Sequence, residues 1–254
     1  MSLNSGIQWC HHSHGFWRGC EKVSLGCAKC YAERDMTGFG QDFHLVTRSK
    51  SFDAPLKWLK SGKAQPRERV FVNPWSDFFI KQSDTWRPEA LEVILQADDL
   101  DFLVLTKRID RIAEKFPGMF DPRIFPNVWL GVSVEDQKTA DERIPLLLQC
   151  EAAVKWVSFE PLLSDIRMMG NPTWELGLDW AVIGGESDPT RPRKMEESWA
   201  LSLVAQLRSW KVPVFFKQNG GSKKINGHWG GNRLAGEIIQ EFPKEQTSTH
   251  RLPS

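Results

Sequence analysis

Along this chain, short runs of consecutive apolar residues alternate with longer stretches in which apolar residues recur every three or four positions. The runs are residues 69–74 (RVFVNP), 101–106 (DFLVLT), 127–133 (NVWLGVS), 154–159 (VKWVSF), 179–185 (DWAVIGG) and 212–218 (VPVFFKQ). They are continuous rather than alternating, which predicts strands buried on both faces of a parallel sheet. The helical periodicity covers residues 87–97, 107–116, 135–149 and 195–210. Strand, helix and strand in succession predict βαβ units. With the short GIQWC segment (6–10) as first strand, the chain is expected to be one α/β domain over 1–254, a full or partial (β/α) barrel of six or seven parallel strands. A doubly wound open sheet is the alternative. Residues 220–236, rich in Gly, Lys and Asn, predict a loop or small hairpin beyond the last strand. They open a Gly-rich C-terminal extension over 220–254 whose end, from residue 241, is expected to fray.

Barrel enzymes carry their chemistry at the C-terminal ends of the strands, and polar residues gather at nearly every such end here. Ser76 and Asp77 follow one strand, Thr106, Lys107 and Arg108 the next, then Ser133 with Glu135, Glu160, Glu186, and finally Lys217 with Gln218. Any one of them can be read as a cap for the helix that follows. The ring of them points to a site, because Glu160, Glu186 and Lys217 sit against strongly apolar strands where an unpaired charge is costly.

Composition changes this picture little. A length of 254 residues, 41% of them hydrophobic, suffices for a full core. The N-terminus lacks both the basic start and the apolar stretch of a secretory signal, and no run is long enough to span a bilayer, so a cytoplasmic protein with no membrane partner is expected. A net charge of +1 excludes a highly basic nucleic-acid coat but not a local basic groove. Arg191, Arg193, Lys194, Lys223 and Lys224, in loops after the late strands, are expected to form a basic rim able to bind phosphate. Twelve tryptophans against one tyrosine imply a core filled with indoles, some of them available to stack on a base or cofactor ring.

The sharpest signal is GCEKVSLGCAKCYAERD (19–35), which spaces Cys20, Cys27 and Cys30 as C-x6-C-x2-C. In a reducing compartment such a cluster binds metal or does redox chemistry more often than it forms disulfides, and a total of five cysteines suits pairing poorly. Zinc is one reading, with Cys10, His11, His12 or His14 as the fourth ligand, although the second half of a zinc ribbon is missing. A surface loop is the reading for at least two of these histidines. Cys10 is read as an incidental thiol and Cys150 as a core residue. The other reading is a four-iron, four-sulfur (4Fe-4S) cluster on three cysteines, with one iron open to the amino and carboxylate groups of S-adenosylmethionine.

The stretches GCEKVSLGCAKCYAER, NPWSDFF, LVLTKR, VWLGVSVEDQ, VSFEPLL, WAVIGGES and VPVFFKQNGG, in order from about residue 7 to 243, resemble a phage- and prophage-associated three-cysteine family distantly related to radical S-adenosylmethionine enzymes. The resemblance implies that Cys20, Cys27 and Cys30 hold the cluster, and that S-adenosylmethionine is cleaved to a 5′-deoxyadenosyl radical. By their positions after the strands, Tyr31, Ser76, Asp77, Lys107, Ser133 and Glu135 are expected around the cofactor and Glu160, Glu186 and Lys217 toward the substrate. The spacing departs from the usual C-x3-C-x2-C, Lys29 stands where an aromatic residue is usual, and Gly184-Gly185-Glu186 comes far later than the Gly-Gly-Glu of the wider class. The expected substrate is a nucleotide or modified DNA base, for instance a thymine substituent undergoing isomerisation in the host cytoplasm. A flavodoxin or ferredoxin is the expected reductant. The competing expectation is a zinc-stabilised, non-catalytic nucleic-acid-binding protein.

Overall fold

A computed structural model describes residues 3–116, 118–170, 172–175 and 177–244. In chain order the strands are β1 (His12–His14), β2 (Trp17–Arg18), β3 (Thr47–Arg48), β4 (Arg69–Val72), β5 (Asp101–Thr106), β6 (Val128–Ser133), β7 (Val154–Phe159), β8 (Trp180–Gly184), β9 (Val214–Gln218), β10 (Lys224–Ile225) and β11 (His228–Trp229). The helices are α1 (Tyr31–Gly38), α2 (Ala54–Lys60), α3 (Arg87–Gln96), α4 (Asp110–Lys115), α5 (Gln137–Gln149), α6 (Pro172–Glu175) and α7 (Glu197–Ser209). Seven strands form one parallel sheet in the order β1-β4-β5-β6-β7-β8-β9, curled into a half-barrel. Each strand lies beside the one that precedes it in the sheet, with no reversal of order. A doubly wound sheet has such a reversal, so that alternative is excluded.

The expected strands 69–74 to 212–218 are present as β4 to β9 with ends shifted by at most two residues. The first strand is a correction. Residues 6–10 are not a strand; the sheet begins at His12–His14, paired with β4 from His12↔Val70 to His14↔Val72. An HSH sequence reads as a surface loop by polarity, yet His12 and His14 are buried. Their polarity is absorbed locally: His12 Nε2 lies 2.8 Å from Glu68 Oε2, and His14 Nε2 lies 3.2 Å from the Phe52 carbonyl. The turn around Trp9 and Cys10 instead packs against Phe71, Trp156 and Trp180 inside the half-barrel.

The two faces of the sheet have different roles. Val70, Val72, Phe102, Val104, Leu130 and Val157 point outward into the main core, where Ala90, Ile94, Ile144 and Leu203 of the helices meet them. The inward face is the half-barrel's own interior. The Gly-rich segment forms the expected hairpin, β10 with β11, antiparallel. The tail does not fray at residue 241: Glu241 Oε2 accepts from Val214 N at 2.9 Å, and Phe242 stacks on Trp180 with centroids 5.5 Å apart. The remainder of that expectation, residues 245–254, lies outside the described residues. No described helix is long and apolar enough to cross a membrane.

Candidate functional site

Along each strand the inward-facing residues change character from the N-terminal to the C-terminal end. Trp129 gives way to Gly131 and Ser133, Trp156 to Ser158 and then Glu160, Trp180 to Val182 and Gly184, and Phe215 to Lys217. Because side chains on one face recur every second residue, this taper is written directly into the strands. Aromatic rings therefore plug the lower end. Gly131 is part of the fit, since a Cβ there would come within 2.4 Å of the Trp156 ring. Above the plug the interior opens into a cavity of about 420 Å³.

The cysteine loop closes over this cavity, and Cys20, Cys27 and Cys30 all line it. The loop has little core of its own and is held by contacts to the segments that follow four strands. Ser76 Oγ donates to Gly19 O at 2.6 Å and Tyr31 Oη to Pro74 O at 2.6 Å, both beyond β4. After β5, Arg108 donates to Glu21 O at 2.9 Å, with its other terminal nitrogen 3.8 Å from Cys20 Sγ. Glu135, past β6, accepts a short hydrogen bond from Ser24 Oγ and has no room for a side chain at Gly26. Arg193, on the loop after β8, donates to Leu25 O at 2.9 Å, and Arg34 donates to Ser187 O at 3.1 Å. Cys30 caps the N-terminus of α1, where the helix dipole works toward a thiolate, but burial pushes its thiol up. Burial pushes the Cys20 thiol up to about 11, with Asp77 adding to the rise and Arg108 opposing it.

The expected site residues fall into two groups. Tyr31, Ser76, Asp77, Lys107, Ser133, Glu160, Glu186 and Lys217 line the same cavity as the cysteines. Glu135 does not; it is fully buried behind the loop and paired with Arg143 at 2.7 Å. Its position is set by Thr139, whose hydroxyl accepts from Glu135 N at 3.0 Å inside the capping box that starts α5. Among the lining residues, Asp77 is saturated by Thr106 Oγ1 (2.7 Å), Phe79 N (2.8 Å), Lys107 N (2.9 Å) and Arg108 (3.2 Å). Such a carboxylate braces the turn after β4. Glu186 is likewise wrapped by Arg193, whose backbone N and guanidinium both donate to it. The pair turned toward open space is Glu160 with Lys217, 2.9 Å apart, with Ser158 Oγ donating to Glu160 at 3.4 Å.

The basic rim needs correction. Arg193 is spent on Glu186 and Leu25, Lys194 pairs with Glu196, and of the five expected residues only Lys224 lines the cavity. His12 and His14 are structural pins, as described above, and His11 Nδ1 accepts from Arg69 N at 2.8 Å. Cys10 is buried, its thiol pushed up to about 11 by burial, and Cys150 packs in the main core as expected. Arg143 and Trp229 contribute to the site without having been singled out by the local pattern.

Among the described residues, no three His, Cys, Asp or Glu side chains converge closely enough to hold a metal ion. A structural zinc needs four donors converging on one point about 2.3 Å from each sulfur. The three thiols instead line the wall of one cavity without converging. Three separated thiols suit a multi-iron cluster, in which each cysteine binds a different iron.

Comparison with known families gives a match over residues 4–243 to one described as Protein of unknown function (DUF5131). That span covers most of the chain, and the chain belongs to this family. No curated protein and no solved structure matches.

Proposed function

On the premise of membership in a family that carries no assigned activity, we propose that this protein is a radical S-adenosylmethionine enzyme acting on a nucleotide or modified DNA base. Cys20, Cys27 and Cys30 would hold a 4Fe-4S cluster. The observation that carries the reading is that three thiols, on a loop held to four strand ends, line one cavity together with the Glu160–Lys217 pair. When bound, the cluster supplies one-electron cleavage of S-adenosylmethionine and the hydrogen-atom abstraction that follows.

The chain's own residues would do the rest. Arg108 beside Cys20 and the α1 dipole at Cys30 oppose the rise that burial imposes on both thiols, and iron would have to displace their protons on binding. The stapled loop and the aromatic plug restrict water and stray hydrogen donors on two sides of the cavity. Ser133 and Ser158 present hydroxyls to it, and Glu160 and Lys217 present one acceptor and one donor, able to orient a substrate and hold a proton at Glu160 Oε1. A DNA base would have to be presented singly or flipped from its stack. Rearrangement of a thymine-linked substituent is a concrete version of the reaction. A reductant such as a flavodoxin or ferredoxin would approach the loop's outer side, where Val23 and Leu25 are 48% and 66% exposed.

Anaerobic reconstitution with iron and sulfide tests the reading. A brown cluster that is lost in Cys20→Ala, Cys27→Ala and Cys30→Ala, with 5′-deoxyadenosine formed only by the wild type after dithionite and S-adenosylmethionine, is expected. Colourless protein with stoichiometric zinc would replace it with the zinc-stabilised nucleic-acid-binding alternative.

A further inference from the structure

The β10–β11 hairpin brings Lys224, Gly227 and Trp229 to the wall of the cavity that the cysteines line. So short a ribbon is not stable alone. Its base is locked by backbone contacts: Gly220 N donates to Trp229 O at 2.9 Å and Gly230 N to Lys223 O at 2.8 Å. Asn219 Nδ2 bridges the carbonyls of Gly230, Gly231 and Arg233. A Cβ on Gly230 would lie 1.9 Å from Gly220 O, and one on Gly185 would lie 2.0 Å from Asn219 O. Gly220 and Gly230 also take left-handed backbone, φ +80 and +66. Glycine at these points lets backbone rest directly on backbone, and the consequence is a half-buried indole held in one place at the cavity's edge. Lys224 Nζ lies 5.4 Å from the centre of that ring.

Charge shows what the cavity lacks. The lining carboxylates Asp35, Asp77, Glu160 and Glu186 each hold a cation, and Glu21 accepts a hydrogen bond from Gln82. Lys29, Lys107 and Lys224 line the same space, and among the described residues none of them has a carboxylate within 4 Å, although Lys29 is close enough to Asp188 to attract its carboxylate. They come from three different elements: the cysteine loop, the turn after β5, and the hairpin. Three like charges facing one space repel each other, and an anion placed between them removes the repulsion.

We infer that the hairpin is the substrate-reading edge of the site, with Trp229 stacking a nucleobase and Lys224, together with Lys29 and Lys107, meeting its phosphate. Lys224 sits over one face of the ring, so a base would stack on the other, and a planar ring carrying an anion fits an aromatic face flanked by cations. Stacking of this kind tolerates any base, so chemistry elsewhere in the cavity would choose among them. The inference rests on the proposed function in taking a nucleotide as the substrate. The binding itself needs no cluster.

Isothermal titration calorimetry on the full chain, purified without iron, tests it with thymidine, thymidine monophosphate and a short single-stranded oligothymidylate. The monophosphate is expected to bind at least about tenfold more tightly than thymidine, an advantage that shrinks at high salt. Trp229→Ala is expected to weaken the monophosphate about tenfold or more, with Trp229→Phe retaining most of the affinity. Lys224→Gln should lower affinity for the monophosphate and leave that for thymidine unchanged. Tighter binding of the oligonucleotide than of the monophosphate assigns the site to a nucleotide within a strand, and equal binding assigns it to the free nucleotide. Equal affinities for thymidine and its monophosphate, no binding of any of the three, or an unchanged affinity in Trp229→Ala overturns the assignment. Cluster assembly and 5′-deoxyadenosine formation in the same preparations, once reconstituted, show separately whether the radical reading stands.

Discussion

The two ends of the half-barrel interior are built on the same strands and behave oppositely. At the lower end, Trp9, Trp129, Trp156, Trp180, Phe71 and Phe215 fill the space ring against ring; Trp156 Nε1 reaches Trp129 O at 3.2 Å and Trp180 Nε1 reaches Glu241 O at 2.9 Å, while Trp9 Nε1 is buried without a partner. At the upper end the same face carries Ser133, Ser158, Glu160 and Lys217, and the space is left open beneath the cysteine loop. Apolar packing is concentrated below and polar and charged side chains above. A step of two residues along a strand is enough to pass from one to the other, which is why one sheet serves both purposes without a second domain.

The contrast predicts graded consequences. Trp156→Ala empties the centre of the plug, and the cost is expected to be about 3–5 kcal/mol in urea denaturation, as for large aromatic deletions in a core. A loss well under that would mean that the neighbouring rings collapse into the gap. The pH response should be nearly as large. Burial holds His14 down to about 4, against an ordinary value near 6.5, with Asp53 and the Phe52 carbonyl opposing the drop. A depressed folded-state value means that the stability is fully present above pH ~6.5 and is lost as the pH falls toward 4, on the order of 3 kcal/mol in total. Denaturation midpoints of the wild type and His14→Phe across that window check it, the variant losing the steeper part of the slope.

At the upper end the effects shift from stability to function. Arg193→Gln leaves Glu186 buried without its cation and frees the Leu25 carbonyl, so a loss of about 2–3 kcal/mol is expected, together with faster hydrogen exchange in residues 24–27. Unchanged exchange there would separate Arg193 from the loop. Lys217→Met is expected to cost the least, about 1 kcal/mol or less, because the Glu160 pair faces the cavity and solvent screens it. Its signature is loss of substrate turnover with cluster content intact, measured by iron analysis beside product formation.

Most of the sheet was legible because its strands are continuous apolar runs, and 101–106 and 154–159 match β5 and β7 residue for residue. β1 was not, because HSH is buried only through the partners Glu68 and Phe52, brought to it from elsewhere in the chain. Helix α2 carried a readable signal, with Pro55 in its first turn and Trp58 one helical turn later, both buried. In the site, residues at strand ends could be placed by their position after an apolar run. That rule brought Glu160, Lys217 and Ser133 to the cavity. It also included Glu135, whose side chain turns away because Ser24 and Arg143 claim it.

The linear order of residues carried the periodicity, the taper from ring to hydroxyl along each strand, and the three thiols within one short span. These are local properties, set by which face each side chain must occupy and by the chemistry of neighbours. Folding alone decided which charges are spent and which are left over. Ser24 meets Glu135 across 111 positions and Leu25 meets Arg193 across 168, and it is these remote contacts that turn a cysteine-bearing loop into the roof of a cavity. A hydrogen bond depends on distance in space, and a chain fixes that distance only when its core has closed around it.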